Sequence, residues 1–85
     1  MKVSKMDEYI VYLITYFDYK KDSDDCLIVS INKDKEDINP TISEQIFNYL
    51  YGDEKYQTEI SIIKIDKLFE ITKDKLARYN FLEIV

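Results

Sequence analysis

The sequence predicts an α+β domain in which a three- to four-stranded, mostly antiparallel sheet carries one helix packed on one face. Three observations lead to this fold class. Two segments rich in β-forming residues, 8–19 and 26–32, are separated by a short charged stretch. A segment with helix-capping signals follows at residues 41–52, and an isoleucine-rich segment begins at residue 58. A chain of 85 residues has room for one hydrophobic core, so we expect a single domain over residues 1–85.

Residues 8–19 predict the first strand, because they are rich in β-branched and aromatic side chains and contain no glycine or proline. Both faces of this strand are apolar, so we expect it to be central and covered, at least in part, on both sides. Residues 20–25 predict a charged turn in which Asp and Ser side chains bond to nearby backbone amides. Residues 26–32 then return as the antiparallel partner and complete a hairpin.

Residues 41–52 carry the clearest helix signals of the chain. Thr41 and Glu44 have the spacing of a capping box, in which each side chain accepts a hydrogen bond from an amide at the helix start. Gly52 stands where a left-handed residue ends a helix. The expected buried stripe follows the spacing i, i+4, i+7, i+8 and consists of Ile42, Ile46, Tyr49 and Leu50.

The C-terminal part of the chain has two interpretations after a third strand at residues 58–65. In the first, residues 66–79 form a second helix. In the second, which we favour, the strand continues through residues 68–71, residues 73–78 form a short helix, and residues 81–85 return as a fourth strand. Periodicity does not separate helix from strand in short apolar runs, so the sequence leaves this choice open.

The residue types that the chain lacks exclude several kinds of site. It has no histidine, one cysteine and one glycine, which excludes imidazole-dependent catalysis, multi-cysteine zinc sites and glycine-rich phosphate loops. Cys26 follows two aspartates, which disfavour a reactive thiolate, and no histidine is present to act as its base. The acids of the turn lack the glycine and glutamate spacing of an EF-hand. We therefore expect a non-enzymatic chain with no cofactor and no metal ion.

The charge balance predicts the kind of partner. The net charge is −5 and the only arginine is Arg78, so we expect no direct binding to nucleic acid. The longest apolar run, residues 9–17, is shorter than the ~20 residues that span a bilayer, so we expect no membrane partner. A lone cysteine fits a reducing, cytoplasmic location. An acidic chain of this kind suits a protein partner with a basic surface.

Eight tyrosines interleaved with acidic residues predict a contact surface, because tyrosine both packs and forms hydrogen bonds. Aromatic rings beside carboxylates suit a surface rich in arginine and lysine, through ion pairs and cation–π contacts. The predicted partner-binding residues lie on the hairpin, on the connector after it, and at and beyond the end of the helix: Asp22, Asp24, Asp25, Tyr16 and Tyr19; Asp34, Glu36 and Asp37; Tyr51, Asp53 and Glu54.

Four segments carry a resemblance to a class of known proteins: YIVYLITYFDY (9–19), CLIVSIN (26–32), TISEQIFNYLYG (41–52) and EISIIKI (59–65). Their order resembles that of short proteins of phages and mobile elements from AT-rich bacteria. Some proteins of this kind resemble small, acidic, non-enzymatic inhibitors of host defence, including anti-CRISPR proteins, which tend to occupy the basic nucleic-acid channel of their target. The resemblance implies an inhibitor that docks on a nucleic-acid-handling host defence protein.

Three other interpretations remain open. The chain could be a structural or regulatory homodimer or larger homo-oligomer, in which the face bearing Tyr12 and Tyr16, left bare by a single helix, is buried against a second copy. It could be an antitoxin-like partner of a basic toxin, which predicts the same acidic surface. The acids could also serve only to keep the surface solvated.

Overall fold

The computed structural model describes residues 8–35, 42–52 and 60–85, and the four strands in these ranges form one sheet in the order β3-β1-β2-β4. The elements in chain order are β1 (Glu8–Asp18), β2 (Ser23–Asn32), helix α1 (Ile42–Tyr51), β3 (Ile60–Thr72), the single-turn helix α2 (Lys73–Leu76) and β4 (Leu82–Ile84). β1 is antiparallel to β2 and β3, whereas β4 is parallel to β2. The predicted α+β class, with a mostly antiparallel sheet and one main helix, is confirmed.

The hairpin turn is shorter than the sequence predicts. It occupies residues 19–22, and β2 begins at Ser23 instead of residue 26. Asp22 adopts a left-handed conformation with φ of 53°, which reverses the chain within a few residues and which aspartate tolerates better than most side chains. Asp24 and Asp25 therefore lie in the strand, opposite β1, and the expectation that they belong to the turn is wrong.

Two crossovers cover the two faces of the sheet. β2 and β3 are parallel to each other on either side of β1, and α1 lies in the connection between them. Residues 73–81 then lead from β3 at one edge of the sheet to β4 at the other. The two connections run in opposite directions across the sheet. Because crossovers between parallel strands are right-handed, the two connections lie on opposite faces. The favoured interpretation of the C-terminal part, in which the strand continues and a short helix and a fourth strand follow, is confirmed.

The face under α1 holds most of the core. Ile14 and Tyr16 of β1 pack there with buried residues from the other strands and the helix: Val29, Ile31, Ile42, Ile46, Ile60 and Ile84. Tyr12 packs against the same cluster. The expectation that the Tyr12 and Tyr16 face is left bare is therefore wrong, because it is the face that the helix covers.

The helix α1 contacts the sheet along a stripe that differs slightly from the predicted one. Ile42 and Ile46 are buried and Leu50 packs beside them, but Tyr49 is 55% exposed and Phe47 takes its place against the core. The contact follows the i, i+4, i+8 row, which is inclined to the helix axis. That inclination carries the stripe away from Tyr49.

Both ends of α1 were predicted from local signals. Gly52 has a φ of 67°, and its amide donates to the Asn48 carbonyl at 2.8 Å, as expected for a left-handed residue that ends a helix. Thr41 lies outside the described residues, so the capping box with Glu44 stays a prediction.

Helix α1 also holds the chain just after β4. The Gln45 side chain donates to the Val85 carbonyl at 2.7 Å and accepts from the Val85 amide at 2.8 Å. This paired contact resembles a rung of a β-ladder and extends the pairing of β4 beyond Ile84. Ile84 itself is buried in the core under α1. Pairing with β2 and the contacts with α1 therefore both hold β4 in place.

The opposite face is covered at one end by residues 73–81. Tyr9 and Val11 of β1 are buried there, and the Tyr9 hydroxyl lies 3.1 Å from Oε1 of Glu83 on β4. Because β2 lies between β1 and β4, this hydrogen bond spans Ser30, which is also buried and stands opposite Val11 and Glu83. Each face of β1 is covered over a different part of the strand. The buried side chains therefore lie on one face near the start of β1 and on the other face near its end.

Replacing Ser30 by alanine is expected to stabilise the fold. Its Oγ is buried and has no hydrogen-bond partner among the described residues, so folding removes a hydroxyl from water without compensation. We expect Ser30→Ala to raise the free energy of unfolding by about 0.5–1.5 kcal/mol in urea titrations. The exposed Ser61 is the control, where alanine should change stability by less than about 0.5 kcal/mol. Destabilisation by Ser30→Ala would contradict this account.

Candidate protein-binding site at the hairpin end

A buried carboxylate joins the hairpin turn to the helix. Asp18, the last residue of β1, is 1% exposed. Its Oδ1 accepts hydrogen bonds from the backbone amides of Lys20 at 2.9 Å and Lys21 at 3.3 Å. Its Oδ2 accepts a hydrogen bond from the hydroxyl of Tyr51 at the end of α1. One side chain therefore closes the turn and ties it to a helix 33 residues further along the chain.

The hydrogen bonds of Asp18 keep it ionised despite its burial. Burial by itself raises the pKa of a carboxyl group, because it disfavours the charged form. The hydrogen bonds from Tyr51 and from the two lysine amides, with the charge of Lys21, outweigh this effect. The net result is a pKa of Asp18 below its ordinary value.

Contacts with three described residues hold Tyr51 in place. Besides its bond to Asp18, its ring lies 5.2 Å from that of Phe47, and Nζ of Lys20 stands 4.4 Å from its ring centroid. The last contact is a cation–π interaction. These contacts bring Tyr51, which the sequence placed in a separate patch after the helix, to the same end of the molecule as the hairpin.

The predicted hairpin acids are exposed but do not share one face. Asp24 is paired with Phe17 and Asp25 with Tyr16, and residues opposite each other in an antiparallel pair lie on the same face. Asp25 is therefore on the face of α1, and Asp24 is on the other. Within the part of the chain that the structure describes, neither these two nor Asp22 forms an ion pair.

Of the two hairpin tyrosines, only Tyr19 is available to a partner. Tyr19 is 56% exposed, with its ring edge-on to that of Phe17 at 4.8 Å. Tyr16 is 2% exposed and belongs to the core, so its predicted role as a partner anchor does not hold. Burial, followed by the negative charges of Asp25 and Asp18, raises the pKa of Tyr16.

The connector acids are remote from the hairpin. Asp34 follows β2 at its far end, and a strand of ten residues is roughly 30 Å long. Its exposed side chain therefore does not join the surface formed by the turn. Glu36, Asp37, Asp53 and Glu54 lie outside the described residues, so their predicted roles stay predictions.

Two acidic side chains near the far end of the sheet, Glu8 and Glu70, are paired with lysines. Nζ of Lys33 lies 3.4 Å from Oε2 of Glu8 and also binds the carboxylate of Glu70. Oε2 of Glu70 lies 2.9 Å from Nζ of Lys67. The hydrogen bonds from Lys33 and Lys67 lower the pKa of Glu70 to about 2, and the same contacts raise the pKa of Lys33. The hairpin end is the candidate site because it brings together three exposed acids that form no ion pair with the described residues, beside the exposed ring of Tyr19.

Sequence reasoning missed Asp18, the residue that organises the site. An aspartate at a strand end, before a charged turn, is a sequence signal for hydrogen bonds from nearby backbone amides to its side chain. That signal is present in this sequence. The contact with Tyr51 had no such signal, because it joins elements that are distant in sequence.

Within residues 8–35, 42–52 and 60–85, no three acidic or cysteine side chains come together in a way that could hold a metal ion. None of the helices in these ranges is long and apolar enough to cross a membrane.

Asp18 is expected to give the fold a dependence on acid pH. A pKa that folding lowers stabilises the protein above the ordinary value of 3.8, and this contribution is lost as the pH falls through the lower folded-state value. Asp18→Asn should reduce the free energy of unfolding at pH 7 by about 1.5–3 kcal/mol, and the difference from wild type should shrink below pH 3.8. Urea titrations across this range measure both. The exposed Asp34→Asn is the control, and a pH-independent difference for Asp18→Asn would contradict the assignment.

Comparison of the chain with protein-family models, with curated proteins and with solved structures finds no match.

Proposed function

We propose that this chain is a non-enzymatic protein-binding module that docks on a basic surface of another protein through its hairpin end. The hairpin end is defined by Asp22, Asp24, Asp25 and Tyr19. The observation that carries the proposal is the set of three exposed carboxylates without an ion pair among the described residues, placed beside an exposed aromatic ring. Carboxylates and tyrosine together complement arginine and lysine side chains.

The support beneath these residues favours binding. Asp18 fixes the turn through two amides and one hydroxyl, so the backbone that presents the acids is already ordered. Ordering a loop on association costs free energy, and a preformed turn avoids most of that cost. A loop of this kind suits a partner groove that is itself rigid.

The partner class follows from charge. Proteins that handle nucleic acids present basic channels to the phosphate backbone, and an acidic chain of net charge −5 is attracted to them. The resemblance to small acidic inhibitors encoded by phages and mobile elements supports the same class, with a host defence protein as the target and an anti-CRISPR-type inhibition as the outcome. The exposed thiol of Cys26 suits a reducing compartment such as the cytoplasm.

A pull-down from nuclease-treated host lysate tests the partner class. The tagged chain is the bait, and bound chains are identified by mass spectrometry. Recovery of a nuclease or another nucleic-acid-binding protein, competed by added oligonucleotide, is the expected result. Recovery of neutral or acidic proteins only, without competition, would contradict the proposal.

Charge reversal at the hairpin tests the surface. We expect the triple variant Asp22→Lys, Asp24→Lys and Asp25→Lys to associate with the captured partner at least about tenfold more slowly at low salt. The effect should shrink at high salt, because mobile ions screen exposed charges. Surface plasmon resonance measures both rates, and Glu44→Lys, an exposed acid of α1, is the matched control. Equal association rates for the triple variant and wild type would exclude the hairpin end.

A further inference from the structure

The sheet face opposite α1, which we call the open face, is covered over only part of its length. Residues 73–81 lie over the end that contains Tyr9 and Val11. Towards the hairpin, Leu13, Phe17 and Ile28 are half-buried, and no described segment crosses above them. The open face therefore has two ends along the strand direction. We call the end covered by residues 73–81 the raised end, and the end at Leu13, Phe17 and Ile28 the bare end.

The bare end carries exposed acids and aromatic rings, and Lys64 and Asp66 of β3, which also lie on this face, pair with each other. Asp24 shares this face with Phe17, its partner in the strand pair, and Tyr19 packs edge-on against Phe17. The Asp24 carboxylate is exposed and forms no ion pair with the described residues. Asp22 in the turn adds a second exposed carboxylate nearby.

The raised end carries three exposed cations and a group of aromatic rings, beside the exposed Glu83, whose carboxylate accepts a hydrogen bond from Tyr9. The ring of Tyr79 is stacked on Phe81 at 4.9 Å with an interplanar angle of 7°, and Phe69 of β3 lies 6.5 Å from Phe81. Tyr79 is 50% exposed and Phe69 is 41% exposed. The exposed cations of this segment are Lys73, Lys75 and Arg78.

These three cations have no ion-pair partner among the described residues. The acid of the same segment, Asp74, is engaged locally, because a hydrogen bond from Thr72 lowers its pKa. The raised end thus presents positive charge beside exposed aromatic rings, whereas the bare end presents negative charge beside exposed aromatic rings.

We propose that two copies of this chain pack open face to open face in an antiparallel dimer, with the raised basic end of each copy seated on the bare acidic end of the other. A two-fold axis in the plane of contact, perpendicular to the strands, brings about this exchange of ends. The step formed by residues 73–81 then fills the space above Leu13 and Phe17 of the partner. Arg78 and Asp24 face each other twice, once on each side of the axis.

The small area of the open face limits the affinity that we expect for this dimer. Three long strands spaced about 4.8 Å apart and about 34 Å long form a face of roughly 500 Å². Standard interfaces bury about 800 Å² on each partner, so we expect a reversible dimer with a dissociation constant in the micromolar range. Charge pairs at its two ends make it sensitive to salt. The dimer does not rest on the function proposed above.

Sedimentation velocity of the full chain, from about 1 µM to about 1 mM, tests the proposal. Wild type is expected to pass from monomer to dimer over this range. Arg78→Glu and Asp24→Lys should each weaken the dimer at least about tenfold, because each creates two like-charge contacts. An equimolar mixture of the two variants should restore dimer formation, because in the mixed dimer both contacts are again between opposite charges.

Matched controls separate this interface from other surfaces. Tyr79→Ala should weaken the dimer, whereas Tyr49→Ala, an equally exposed tyrosine on α1, and the acid variant Glu44→Lys should not. Circular dichroism confirms that each variant is folded. Asp25→Lys lies on the face of α1, so it should reduce partner binding and leave the dimer unchanged.

Three results would overturn the proposal. They are a wild-type chain that stays monomeric at every concentration, a dimer that the charge variants leave unchanged, and variants whose mixture stays monomeric. Binding of a single-stranded oligonucleotide to the raised end by a monomer, abolished by Tyr79→Ala, would assign this surface to nucleic acid instead. Failure of the pull-down with a persistent dimer would count against the proposed function alone.

Discussion

The structure depends on β1, a strand that is apolar on both faces and bonded on both edges. Such a strand is stable only where each face is removed from water. The chain meets this requirement with two crossovers in opposite directions, which place α1 on one face and residues 73–81 on the other. The two covers lie over different parts of the sheet, so β1 buries Tyr9 and Val11 on one face and Ile14 and Tyr16 on the other.

The second organising contact is the buried carboxylate of Asp18. Its bonds to the turn amides and to Tyr51 couple the local geometry of a hairpin to the end of a helix. A buried charge is tolerated here because both oxygens of the carboxylate accept hydrogen bonds, and removing those donors would leave the charge uncompensated. The same residue that stabilises the fold therefore determines how the exposed acids of the hairpin are presented.

Charge is distributed unevenly along the sheet. Glu8 and Glu70 are neutralised by lysines near the far end, whereas the acids of the hairpin end and the cations of residues 73–81 have no ion-pair partner among the described residues. Solvated charges of this kind contribute little to the stability of the isolated chain. They are suited to steering and selecting partners. The proposed function pairs the hairpin acids with a basic protein, and the proposed dimer pairs Asp24 of the same end with Arg78 of a second copy, so the two uses of Asp24 exclude each other.

The sequence by itself determined the elements of this protein. Runs of β-branched residues placed the strands, and Gly52 ended the helix where a left-handed residue belongs. These signals are local, since they arise from the conformational preferences of adjacent residues. They also identified the exposed hairpin acids, because carboxylates are seldom buried without a partner, although Asp24 and Asp25 lie in β2 and not in the turn.

Only the tertiary structure decided which apolar face became the core. Periodicity shows that a face is apolar but not which segment covers it. The sequence therefore predicts that Tyr16 is a surface anchor, whereas in the structure it is buried in the core under α1. Likewise, Asp24 and Asp25 could be assigned to opposite faces only once their strand register was known. Tyr51 is brought to the hairpin by its bond to Asp18 and its contact with Lys20. Each of these outcomes depends on contacts between segments far apart in the chain, for which adjacent residues carry no signal.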